Sequence, residues 1–146
     1  MSLFYFIASE KELPPLSIGI DDQGYRIIID DERHVLNIFE DLPNSYNSYT
    51  KTFTDKSVIM CVETGLDFST VAADMLSYVQ NAMLDNNSIE LWSIWIGTVS
   101  LGDRKTEKKS VSVNELTTKD LCWILGDMDY SHPKCLKVYR WTKGKR

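Results

Sequence analysis

The sequence predicts an α+β fold: a mainly antiparallel sheet with two helices packed on it. Three observations predict it. Short β-branched and aromatic runs outnumber helical stretches. Two segments repeat apolar residues every three or four positions and carry helix-boundary signals. The resulting order, β-β-β-β-β-α-β-β-α-β, lacks the steady alternation of a parallel α/β fold. Adjacent strands usually pair, so hairpins are expected to dominate. A chain of 146 residues, 43% hydrophobic and 25% charged, fits one domain over 1–146 with a short basic tail at 142–146.

The strands follow in order. Leu3 to Ala8 is apolar on both faces, which suits a strand covered on both sides. Glu10 to Pro15 is a loop closed by Pro14-Pro15. Leu16, Ile18 and Ile20 alternate with Ser17 and Gly19; Tyr25, Ile27 and Ile29 alternate with Arg26, Ile28 and Asp30; Val35 to Phe39 is a third run. Turn residues at 21–24 and 31–33 separate them, so the three read as a meander. Pro43 to Asp55 has no clear period and reads as a loop, and Ser57 to Glu63 as another strand.

Phe68, Val71, Ala72, Met75, Leu76, Val79, Ala82 and Met83 form the apolar stripe of the first helix. Asp67 or Ser69 is placed to cap it, and Asp85-Asn86-Asn87 to end it. Ile89 to Gly97 is β-branched and aromatic, and its second half is apolar on both faces, so it belongs centrally in the sheet. Gly102 to Lys109 reads as a charged turn and Ser110 to Asn114 as a strand around Val111 and Val113. The second helix has Thr117 three residues before Asp120, a capping-box variant. Leu116 and Leu121 stand at staple positions, and Gly126 is a plausible stop. Cys135 to Trp141 is the last strand, with Leu136 and Val138 on one face.

Charge is segregated along this chain. Residues 1–67 carry 12 acids and 5 bases, 68–103 four acids and no base, and 104–146 11 bases and 5 acids; the net of −5 hides the split. Such asymmetry suggests a charged partner. The acids Asp21, Asp22, Asp30, Asp31, Glu32, Glu40 and Asp41 fall at the turns and ends of the meander. If its strands alternate direction, 21–22 and 40–41 approach one end and 30–32 the other. This acidic surface is the expected partner-binding face, suited to a basic protein. Arg104, Lys105, Lys108, Lys109, Arg140 and Lys143 could form a basic patch.

Catalytic signals are sparse. His34 stands beside Asp30, Asp31 and Glu32, which would keep it charged and unsuited to act as a neutral base. His132 lies three residues from Cys135, although sequence neighbours of this kind seldom converge as nucleophile and base. Cys61 and Cys122 lie in apolar runs and read as core. The three cysteines lack CxxC spacing, the acidic pairs are too far apart for one ion, and no phosphate-loop, dinucleotide, hydrolase-elbow or zinc-protease motif is present. No metal or cofactor is expected. Trp92 and Trp95 point to opposite strand faces and form no platform. Trp141, beside Arg140 and Lys143, is the better stacking candidate. A pI near 5 weighs against nucleic acid as partner. No signal peptide or membrane span is evident, and the cysteine usage suits the reducing cytoplasm.

The layout resembles small acidic bacterial immunity proteins, the antitoxins encoded beside LXG-type and other polymorphic toxins. The resemblance rests on size, acidity, the α+β pattern, and the stretches Ile89-Glu90-Leu91-Trp92-Ser93-Ile94-Trp95-Ile96-Gly97 and Val113-Asn114-Glu115-Leu116-Thr117. It implies a non-enzymatic cytoplasmic protein that binds and inhibits a toxin domain, often a basic nuclease. The alternatives are a small enzyme using His34 or His132, with a pocket where one of them meets a carboxylate or cysteine, and a nucleic-acid module using the basic C-terminal strand and tail.

Overall fold

The computed structural model describes residues 2–20, 26–28, 34–40, 50–64, 68–96, 106–126 and 132–140. They build β1 (Ser2–Ser9), β2 (Leu16–Ile20), β3 (Arg26–Ile28), β4 (His34–Phe39), β5 (Val58–Thr64), a 3-10 turn (Phe68–Val71) running into α1 (Ala72–Ala82), β6 (Ser88–Ile96), β7 (Glu107–Ser112), α2 (Thr118–Leu125) and β8 (Lys134–Tyr139). The strands form an eight-stranded sheet in the order β3-β2-β4-β5-β1-β6-β8-β7. Neighbours are antiparallel except β7 and β8, which run parallel. The fold is α+β, as the element order predicts.

The doubly apolar strands lie at the centre, for the reason their sequence gives. β1 pairs with β5 and β6, and β6 with β1 and β8. Side chains alternate across the sheet. Ile7, Leu36, Ile38, Leu91 and Leu136 face α1 and α2, where they meet Met75, Val79, Leu121 and Ile124 in the main core. Phe6, Ala8, Trp92, Ile94 and Cys135 form a second buried cluster on the opposite face.

Both helices are anchored by specific ends. Thr117 caps α2 through the reciprocal bonds of a capping box with Asp120, and Leu116 and Leu121 are both buried. At the other end Gly126 N–H donates to the Cys122 carbonyl at 2.9 Å, and a Cβ on Gly126 would stand 2.9 Å from the same oxygen. The start of α1 differs from expectation. A 3-10 turn precedes it, and Val71 occupies the N-cap position with no side-chain cap bond. The tighter winding of that turn brings Phe68 and Val71, three apart, to one side, and both are buried. Burial of these two side chains fixes how the chain enters α1; Asp67 lies outside the described residues. At the end of α1, Asn86 behaves as predicted and does more. Its buried amide donates to the Ala82 carbonyl at 3.0 Å, while Oδ1 accepts the N–H groups of Glu10 and Lys11 at 3.2 and 2.9 Å. Tyr78 adds a second tie from α1 by donating its hydroxyl to the Pro14 carbonyl at 2.6 Å.

Four expectations need correction. The 16–39 region is not a meander: β2 lies between β3 and β4, so β3 and β4 run in the same direction. Hairpins do not dominate, because only β2–β3 and β4–β5 are consecutive antiparallel neighbours among the described strands. Residues 50–53, read as loop, form a helical turn in which Thr54 N–H donates to the Thr50 carbonyl at 3.0 Å. β7 begins at Glu107, inside the expected charged turn, and Val113 falls in the turn beyond it. An edge strand with exposed side chains on both faces has no apolar period to read, and its charges suit an edge.

Candidate functional site

The helices occupy one face of the sheet, and the helical turn at 50–53 sits against the other. Phe53 brings its ring within 5.4 Å of the Trp92 indole, centroid to centroid. Thr50 and Thr54 are buried at the two ends of this turn. Two half-open concavities flank it and share Lys51, Thr54 and Asp55 in their walls. The first, about 800 Å³, is lined also by Glu12, Glu40, Lys56, Val58 and Ile59. The second, about 430 Å³, lies over β6, β8 and β7 and is lined also by Glu90, Trp92, Lys108, Ser110, Cys135 and Lys137.

Of the acidic set, Glu40 is described. It follows β4 at the end where Ile38 pairs with Leu16, the opposite end of β2 from Ile20. The strand directions that would bring 21–22 and 40–41 together are therefore not the ones formed. Asp21, Asp22, Asp30, Asp31, Glu32 and Asp41 lie outside the described residues. Glu40 instead joins Glu12 and Asp55 around the larger groove, and Glu12 and Glu40 also border a neighbouring hollow with Pro14, Pro15 and Phe39. The groove holds two bases, Lys51 and Lys56. Lys56 is engaged elsewhere: its ammonium stands 3.4 Å from Glu10 and donates to Ser88 Oγ at 2.7 Å.

The described members of the basic set occupy three places. Lys108 lines the smaller cavity. Lys109, its neighbour along the strand, points to the other face, where its ammonium lies 4.8 Å from the Trp123 ring centre and Lys134 shares that ring at 5.3 Å. The Arg140 guanidinium donates to the Met83 carbonyl just beyond α1. Arg104, Lys105 and Lys143 lie outside the described residues.

His132 meets a carboxylate, as the enzyme alternative requires, with Nε2 2.6 Å from Glu107 Oε2. The parallel pairing of β7 with β8, which sets Glu107 beside Lys134, brings the two together. The contact is exposed, and neither residue lines the cavities described above. Cys135 is buried at the base of the smaller cavity. Burial, with the Glu90 charge adding to it and Lys108 and Lys137 opposing, pushes its thiol up to about 12. At neutral pH it keeps its proton and is a poor nucleophile. Cys61 is buried, and Cys122 is half-buried against the main core. The side chains of His34 and Trp95, and the whole of Trp141, lie outside the described residues; Trp92 is buried. Among the described residues no group of three or more His, Cys, Asp or Glu is placed to hold a metal ion, and no helix is long and apolar enough to cross a membrane.

Sequence reasoning missed Glu12, Lys51 and Asp55 at the grooves, and Glu90 and Ser110 in the smaller one, whereas Lys137 belongs to the basic C-terminal strand that it did single out. Their grouping depends on the 50–53 turn and on the β6-β8-β7 order, which no local pattern announces. Protein-family models, curated proteins and solved structures give no match to the chain.

Proposed function

We propose that the chain is a non-enzymatic binding protein of the bacterial cytoplasm, an immunity protein that neutralises a basic toxin domain by accepting its cationic side chains in the groove beside the 50–53 turn. The observation that carries this reading is the gathering of Glu12, Glu40 and Asp55 around one open concavity of about 800 Å³, with Lys56 turned to Glu10 and Ser88. A convex basic loop entering such a groove would pair with three exposed carboxylates from three separate parts of the chain. Charge complementarity of this kind speeds association and rejects partners of the wrong sign. The chain's net charge of −5 acts in the same direction at longer range.

The test is whether a toxin domain is encoded beside this chain, followed by co-expression of the two. Growth should be restored, and the purified pair should form a complex that weakens with salt. The triple reversal Glu12→Lys, Glu40→Lys, Asp55→Lys should abolish rescue while leaving the chain folded, because all three side chains are exposed. Loss of growth despite abundant, folded protein would sink the reading.

A further inference from the structure

We propose that the smaller cavity, over β6, β8 and β7, binds a small phosphorylated molecule. Three lysines from three separate elements line it: Lys51 from the helical turn, Lys108 from β7 and Lys137 from β8. Among the described residues, none of the three is held by a hydrogen bond or an ion pair. The strand register places them for a common target. Trp92, Cys135 and Lys108 form one row across β6, β8 and β7, and Glu90, Lys137 and Ser110 form the next. Lys108 and Lys137 are thus diagonal neighbours on adjacent strands, and their long stems can bring both ammoniums to one group. Both line the cavity above the buried Cys135.

Two carboxylates share the lining, Asp55 and Glu90, the latter accepting the Trp92 indole N–H at 2.9 Å, and against them the three lysines leave the cavity with a net positive charge. A tetrahedral anion suits what remains. Lysine binds phosphate as a point charge, and several such charges from different directions match its spread of oxygens, whereas a planar carboxylate is best gripped by an arginine fork. Ser110 adds a hydroxyl that can donate to a further oxygen. A cavity of about 430 Å³ is also larger than inorganic phosphate needs and falls in the range of small-ligand sites. The Phe53 ring in its wall gives the remainder of such a molecule an apolar surface.

This inference is independent of the docking reading and is tested on the chain alone. Thermal unfolding and calorimetric titration are run with inorganic pyrophosphate, ADP and adenosine at matched ionic strength. Pyrophosphate and ADP should raise the melting temperature and adenosine should not. ADP binding more tightly than pyrophosphate would assign a nucleotide, and equal binding the phosphate group alone. The double variant Lys108→Gln, Lys137→Gln, exposed at both positions, should lose about tenfold or more in affinity, and Lys119→Gln on α2 should lose none. Absence of stabilisation by either phosphate compound, equal binding of adenosine, or unchanged affinity in the double variant would each overturn the proposal.

Discussion

The Phe6 ring lies nearly parallel to the Trp92 indole, with centroids 5.8 Å apart and 8° between the planes. The two are directly paired residues of β1 and β6, so the stack bridges the middle of the sheet on the face away from the helices. Both are buried, and Phe53 of the helical turn leans on the same indole. Phe6→Ala would leave a cavity beneath that turn. It should cost about 3–5 kcal/mol in urea unfolding. Trp92 is then less tightly enclosed, so its fluorescence should be quenched more readily by acrylamide.

Asn86 joins the end of α1 to the end of β1 through three hydrogen bonds made by one side chain. Asn86→Ala strands the Glu10 and Lys11 N–H groups. The expected loss is about 1–3 kcal/mol. Hydrogen exchange should show it locally, with the Glu10 and Lys11 amides exchanging faster than in the parent. Asn86→Asp keeps the acceptor and loses the donor, so it should fall between the two.

At α2 the reciprocal bonds of Thr117 and Asp120 satisfy two otherwise orphaned N–H groups. Thr117→Ala should cost about 1 kcal/mol, and Thr117→Ser much less, by thermal unfolding. Asp120→Asn tests the returning half of the box and should cost less than Thr117→Ala.

Alkaline pH should act through two buried groups. The Cys135 thiol is raised from 9.0 to about 12, and burial also raises the Tyr78 phenol above its usual 10.0. Each favours its neutral form in the fold. Their contribution is full below the unfolded values and is lost as pH rises from about 9 toward 12. Denaturant midpoints should therefore fall across that window, and Cys135→Ala should flatten the slope. Alkylation at pH 8 should mark half-buried Cys122 before Cys135.

The central strands and the second helix are legible in the sequence because one local rule decides each. Doubly apolar runs such as Leu3 to Ala8 belong inside a sheet, and Thr117 with Asp120 marks a helix start. The start of α1 is less legible, because Asp67 and Ser69 are good caps locally while burial of Phe68 and Val71 decides the geometry. β7 and the β3-β2-β4 order are set by which strand lies alongside, a long-range choice that leaves no period in the residues themselves. The candidate site suffers most from this. Lys108 was identifiable as a cation, but its company of Lys137 and Lys51 follows from strand order and from the 50–53 turn.

β1 and β8 are separated in the sheet by β6 alone, although nearly the whole chain lies between them in sequence. During synthesis β1 emerges first and finds β5 on one side, yet its other side waits for β6, and β6 waits in turn for β8. A chain in which β8 has not yet docked therefore presents an open edge of apolar strands. Folding should be slow for the number of residues involved, and the species exposed to aggregation is the partly folded one in which β8 is still undocked. Cells that make this protein quickly should keep it soluble only with chaperone capacity to spare.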